Sequence, residues 1–158
     1  VELGEEGSLE YQKAEMPLLR KPNLSKVGKR EVSCFNSSHR GAFIKARDGN
    51  MRVSSIGRTF LDMLRNPDLC GGMRHVVEVY KEYCEDYLQL IVDEVNQHGK
   101  AIDKVRAGYI IEKLCGVNDE KVSSWSEYAQ RGGSRKLDAS AEYVPEWSEK
   151  WKISLNLF

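Results

Sequence analysis

The chain has 158 residues, 41% of them hydrophobic and 30% charged, and its 24 Lys and Arg balance its 24 Asp and Glu. These values are typical of one folded domain and exclude a disordered chain. No apolar run approaches the roughly 18 residues that span a bilayer, so we expect no membrane segment. The acidic N-terminal stretch lacks the apolar run of a signal peptide, which predicts a cytoplasmic protein.

Residues 1–28 show no clear hydrophobic period and are interrupted by prolines. They predict a linker or an extended N-terminal segment before a single α+β domain at 29–158. At the start of that domain, alternation of apolar and polar residues predicts strands at 30–36 and 42–47.

The second strand leads into a basic hairpin. Asp48-Gly49-Asn50 is a strong turn signal and favours a hairpin to a strand at 51–55. The stretch 20–65 holds eleven Lys and Arg against three Asp and Glu, so the rest of the chain is acidic. Two interpretations stay open: a bipolar surface whose basic half meets nucleic acid, and an evenly solvated surface.

A helix is predicted to follow at about 56–65. Ser54 or Ser55 can cap it, and the spacing of Arg58 and Asp62 permits an ion pair on this helix. The chain then turns at Gly71-Gly72, where glycine gives the backbone freedom for a corner.

The middle of the chain predicts further helices. An apolar stripe from Val76 to Val95 favours a long amphipathic helix, or two helices that meet at Glu85-Asp86. Another is predicted at 101–115, and a short one around Trp125.

The closing stretch alternates at Ile153, Leu155 and Leu157 and predicts a last strand that pairs back with the early hairpin. Strands, then helices, then a strand favour the α+β class. We therefore predict a small antiparallel sheet, made of the early hairpin and the C-terminal strand, packed against three to five helices.

The sequence carries no recognised catalytic or metal pattern. Its histidines stand apart, and the G-x-S-x-G, H-E-x-x-H and phosphate-loop patterns are absent. None of its four cysteines has the local Cys or His spacing of a zinc site, and Cys70, Cys84 and Cys115 are interpreted as small core residues. We predict a protein that is not an enzyme and has no catalytic residue, metal or cofactor.

A second basic feature is the loop at 131–136. Gly132 and Gly133 leave backbone N–H groups open between cations, a chemistry suited to anions, although an exposed loop turns in the same way. Together with the early basic stretch it gives the candidate nucleic-acid contacts, which are Arg30, Arg40, Lys45, Arg47, Arg52, Arg131, Arg135 and Lys136.

Three stretches, at 54–72, 131–138 and 146–157, resemble the C-terminal domain of the AbiEi antitoxin family. The family pattern has an arginine-initiated helix with L-D-x-L, a proline, a G-G corner, a loop leading to L-D, and a W-x-[IL]-x-[LV]-N tail. The matching positions here are Arg58, Leu61, Asp62, Leu64, Pro67, Gly71, Gly72, Leu137, Asp138, Trp151, Ile153, Leu155 and Asn156. The resemblance covers about 50–158.

The resemblance implies the antitoxin and transcriptional regulator of a type IV toxin–antitoxin system used in abortive infection, that is, phage defence. It implies a nucleotidyltransferase-like toxin as functional partner, without stable direct binding. Family members bind operator DNA through an N-terminal winged helix-turn-helix, which residues 1–50 do not show. DNA would then be bound by a missing N-terminal domain or by the basic half of this chain. The positions interpreted as structural are Arg58, Asp62, Gly71, Gly72, Gly132, Gly133 and Asp138.

Two other functions stay open. The stripe from Val76 to Val95 could serve a protein-interaction or oligomerisation domain without a nucleic-acid role. A divergent nuclease or nucleotidyl-transfer enzyme would need Glu31, Asp48 and a helical acid close together.

Overall fold

A computed structural model of the protein describes residues 25–31, 43–45, 52–130 and 135–157. The chain divides into two units, Val1–Ser38 and His39–Phe158. In the first unit, strands β1 (Lys26–Val27) and β2 (Arg30–Glu31) form an antiparallel pair. The turn between them places Gly28 at φ +61°, in the left-handed region that glycine tolerates.

The second unit begins with the predicted hairpin. Strands β3 (Phe43–Lys45) and β4 (Arg52–Ser54) pair antiparallel, with Ile44 opposite Val53. The predicted turn at 48–50 lies outside the described residues.

Helix α1 (Ile56–Arg65) follows β4 directly. Ser55 is its N-cap, and the Ser55 hydroxyl accepts a hydrogen bond from the Arg58 backbone N–H at 3.3 Å. A 3₁₀ turn at Pro67–Cys70 leads to the glycine corner, where Gly71 and Gly72 have φ of 84° and 90°. The predicted corner is confirmed.

Helix α2 (Met73–His98) is the longest element, and its regular geometry breaks at Tyr87, with φ −117° and ψ 15°. The break lies next to the predicted restart at Glu85-Asp86. Helix α3 (Ala101–Tyr109) continues into a π-helical turn at Ile110–Leu114. The short helix α4 (Glu120–Ser124) and a 3₁₀ turn at Trp125–Tyr128 complete the helical region.

The core lies between α1, α2, α3 and the C-terminal segment. At Gly57, α1 lies close against α2, because a Cβ added at this position would lie 2.1 Å from the Leu90 carbonyl oxygen. The apolar stripe of α2 points into this core, with Val76, Tyr80, Cys84, Ile91 and Val95 all 0% exposed. These five positions are therefore core and offer no surface to a partner. Tyr83 on the same helix is 41% exposed, and the interaction-domain alternative stays a prediction.

The α+β class is confirmed, but the predicted role of the C-terminal strand is wrong. The described part of the β3–β4 sheet has two strands only. Ser154 instead forms isolated bridges, parallel with Lys136 and antiparallel with Trp147. The alternating residues Ile153 and Leu157 are buried as predicted, but they pack on helices rather than extend the hairpin.

Among the described residues, no helix combines the length and the apolar character needed to cross a membrane.

Candidate nucleic-acid interface

The β3–β4 hairpin presents exposed side chains on both of its strands. Phe43 and Ile44 are 43% and 60% exposed, Val53 is 56% exposed, and Lys45 is exposed as well. Because β4 runs into the capped start of α1 at Ser55, the hairpin is anchored at one end to the core. The sequence predicted the position of this two-stranded ribbon, the β3–β4 hairpin, but not the exposure of its apolar residues.

The register of the hairpin places two cationic residues opposite each other. Lys45 on β3 pairs with Arg52 on β4, next to the apolar pair Ile44 and Val53. The register thus puts two cationic positions at the same end of the described hairpin.

The remaining early candidates are dispersed. Arg30 is exposed on β2 in the first unit. Arg40 and Arg47 lie outside the described residues. The structure thus brings together Lys45 and Arg52 among the early candidates.

In the second basic feature, two of the predicted cations bind backbone carbonyls. Arg135 donates from Nη1 to the Tyr128 carbonyl at 2.9 Å, and Lys136 donates from Nζ to the Ala141 carbonyl at 2.7 Å. Both side chains are half-buried and hold neighbouring backbone in place. Arg131, Gly132 and Gly133 lie outside the described residues, so their predicted anion contact stays a prediction.

Asn156 joins the C-terminal tail (residues 151–157) to the L-D segment, Leu137-Asp138. Its Nδ2 donates to the carbonyls of Asp138, Ala141 and Glu142 at 2.8, 3.3 and 2.9 Å, and its Oδ1 accepts from the Asp138 N–H at 3.0 Å. The side chain is 8% exposed. Asn156 therefore fastens the tail to the L-D segment, and this pattern is structural.

Asp138 also organises its own turn. Burial raises the pKa of its carboxyl, but hydrogen bonds from the Ser140 hydroxyl and N–H, with the charge of Arg106, outweigh burial and lower the pKa below its usual value. The carboxylate thus stays charged and holds the turn, as expected for a structural position.

Arg58 and Asp62 form the predicted ion pair, with Arg58 Nε donating to Asp62 Oδ2 at 2.9 Å. Arg58 is 6% exposed, and its Nη1 lies 3.7 Å from Oε1 of Glu94, which is equally buried. Neither of these two atoms has a hydrogen-bond partner. Sequence spacing could not reveal Glu94, because it reaches Arg58 from α2, whose polar positions are mostly solvated.

A polar depression with a volume of about 290 Å³ lies beside the π turn. Its lining residues are Glu112, Asn118, Asp119, Glu120, Ser123 and Lys150. Lys150 Nζ contacts the Glu112 carboxylate and donates to Ser123 Oγ at 2.9 Å. Nucleophilic catalysis needs a base beside the hydroxyl, and Ser123 instead receives a hydrogen bond from an ion-paired ammonium.

The predicted histidines and acids do not assemble a site among the residues that the structure describes. His75 lies on the surface of α2 with its Nδ1 3.9 Å from the Glu78 carboxylate, whereas His39 and Asp48 lie outside the described ranges. Over the same described ranges, no three His, Cys, Asp or Glu residues come together as ligands for a metal.

No protein-family model, no curated protein and no solved structure matches the chain.

Proposed function

We propose that this chain is a non-catalytic regulatory domain that contacts the nucleic-acid backbone through its β3–β4 hairpin, and that it acts as the antitoxin of a type IV toxin–antitoxin system. The single observation that supports nucleic-acid contact is the exposed ribbon that pairs Lys45 with Arg52. A two-stranded β ribbon fits the major groove of B-DNA, and cations that meet phosphates supply most of non-specific affinity.

The chemistry of the ribbon favours phosphate over an acidic protein surface. It combines cationic positions with the exposed side chains of Phe43 and Ile44, which can lie against sugars and base edges. Arg135 and Lys136 do not carry this proposal, because each already donates a hydrogen bond to a backbone carbonyl.

The antitoxin role rests on the resemblance. Among the positions that carry the resemblance, Arg58 is buried on α1, Gly71-Gly72 form the corner before α2, and Asn156 fastens the tail to Asp138. A co-expression assay with a nucleotidyltransferase-like toxin tests this role, since an antitoxin restores growth. Failure to restore growth while DNA binding persists would reject the antitoxin part alone.

The DNA contact is tested by fluorescence anisotropy with a random-sequence duplex at two salt concentrations. We expect micromolar binding at low salt, with log K falling by about 0.9 per phosphate contact for each tenfold rise in salt. The double variant Lys45→Glu/Arg52→Glu should reduce the slope by about two contacts and weaken binding at least tenfold at low salt.

The matched control is Arg74→Glu/Lys81→Glu, which changes net charge equally at two exposed positions of α2. It should bind more tightly than the hairpin variant. Equal weakening by the two variants would show that only net charge matters, and the hairpin proposal would then be wrong.

A further inference from the structure

The register of the β3–β4 hairpin collects its aromatic and cationic positions on one face. Successive residues of a strand alternate between the two faces, and directly opposite residues of an antiparallel pair share a face. Because Phe43 is opposite Ser54 and Lys45 is opposite Arg52, these four positions belong to the same face, which we call the platform face. The platform face therefore joins one aromatic residue to two cationic positions and a hydroxyl.

The opposite face of the hairpin is apolar. Ile44 and Val53 are opposite each other in the register, and their side chains are 60% and 56% exposed. Aliphatic side chains offer neither a ring on which a base can stack nor a charge that can bind phosphate. The residues suited to a nucleotide thus lie on the platform face among the described positions of the hairpin.

The platform face has the two parts that a single strand needs. Proteins that bind single-stranded nucleic acid combine aromatic side chains, on which bases stack, with a positive surface that follows the backbone. Phe43 is 43% exposed, and the exposed Lys45 is two residues further along β3, a spacing of about 7 Å in a strand. A base stacked on Phe43 would therefore bring the adjoining phosphates toward Lys45 and position 52.

A duplex cannot use the ring in this way. Its bases are paired and stacked on one another, and only their edges are open in the grooves. We propose that the platform face binds single-stranded nucleic acid in preference to a duplex, with an unpaired base stacked on Phe43 and the adjoining phosphates bound by Lys45 and Arg52. This inference rests on the proposed nucleic-acid contact and names the form of nucleic acid that the hairpin takes.

The ligand chemistry is an unpaired nucleotide, which both an RNA strand and an opened DNA duplex supply. Every base has a π face, so stacking on one ring tolerates any sequence. Contact with the ring and the phosphates involves no 2′-hydroxyl, and we expect both kinds of strand to bind.

The experiment is fluorescence anisotropy with the full chain and three labelled probes of equal length. The probes are a mixed-sequence strand that cannot pair with itself, its duplex, and a strand in which abasic sites replace the bases. The normal strand should bind at least about fivefold more tightly than the duplex, although the duplex has twice the phosphates, and at least about fivefold more tightly than the abasic strand. The strands are tested as DNA and as RNA, and a preference of either over its own duplex supports the inference.

Three variants test the role of the ring. Phe43→Leu keeps an apolar side chain but removes the ring, so it should weaken single-strand binding about fivefold or more while the salt dependence stays unchanged. Phe43→Tyr keeps a ring and should retain wild-type binding, which separates lost stacking from a damaged hairpin. Ile44→Ala is the matched control, because it truncates an exposed side chain of the opposite face, and it should leave single-strand binding unchanged.

Duplex binding as tight as single-strand binding for both DNA and RNA, an abasic strand that binds as tightly as the normal strand, or wild-type affinity in Phe43→Leu would each overturn the inference. The nucleic-acid contact would survive these results if Lys45→Glu/Arg52→Glu still weakened binding more than Arg74→Glu/Lys81→Glu. Equal weakening by the two charge variants would instead show that the proposed contact itself is wrong.

Discussion

Gly108 lies against the indole ring of Trp151, so closely that a Cβ at position 108 would be 2.2 Å from Cη2 of the ring. Trp151 is 0% exposed, and it covers α3 from the C-terminal segment. Glycine inside a helix costs about 1 kcal/mol relative to alanine. The close packing of the ring on the backbone explains why glycine occupies this position in the last turn of α3.

Gly108→Ala should therefore destabilise the protein by about 1–3 kcal/mol, because overpacking outweighs the gain in helix propensity. Urea denaturation measures the free energy of unfolding. In a Trp151→Leu background, where the indole ring is absent, Gly108→Ala should lower the free energy of unfolding by less, or raise it. A Gly108→Ala variant that is as stable as the wild type would contradict the contact.

Asn156 gives a second stability prediction. Asn156→Ala removes four hydrogen bonds and leaves buried carbonyls without donors, so we expect a loss of about 2–4 kcal/mol. Asn156→Asp keeps the acceptor for the Asp138 N–H but loses every donor, and it should be at least as damaging. Hydrogen exchange should show increased exchange at Asp138 first, and unchanged protection there would count against this role.

The sequence predicted those features of the fold that follow from local chemistry. The hairpin, the cap at Ser55, the Gly71-Gly72 corner and the ion pair of Arg58 with Asp62 depend on residues a few positions apart. Periodicity also identified the buried stripe of α2, but it could not say which element covers the stripe.

Features that depend on packing between distant residues could not be predicted from the sequence. The alternation at Ile153 and Leu157 fits a strand, yet the bonds from Leu137 N to Ser154 O and from Ser154 N to Arg135 O direct this tail along the L-D segment. Likewise, the charges of Arg135 and Lys136 suggested anion binding. The sequence could not show that these side chains reach the carbonyls of Tyr128 and Ala141, because those contacts depend on the fold.

The contact of Arg58 with Glu94 predicts strong non-additivity. Arg58→Met leaves the Glu94 carboxylate buried without its cation and should cost about 3–5 kcal/mol. Adding Glu94→Leu removes the stranded charge, so the double variant should recover much of that loss. A double-mutant cycle from urea unfolding measures this coupling, and simple additivity of the two changes would show that the charges do not interact.

The pH dependence of stability should report on Glu112. Burial raises the pKa of its carboxyl, but hydrogen bonds and charges from Lys113 and Lys150 outweigh burial and lower it below the usual value. A carboxyl with a lowered folded-state pKa stabilises the protein above its unfolded pKa, and this contribution disappears as pH falls through the folded value. Between neutral pH and pH about 3, Tm should therefore fall less steeply in Glu112→Gln than in the wild type.

Lys150→Met tests the cause of this shift, since it removes one cation from the Glu112 carboxylate and the hydrogen bond to Ser123. It should lower Tm at neutral pH and flatten the acid limb of the profile, because less of the charged-state stabilisation remains to be lost. Lys81→Met, at an exposed position of α2, is the matched loss of one cation and should leave the acid limb unchanged. If both lysine variants flatten the limb equally, general charge rather than the Glu112 contact sets the acid stability.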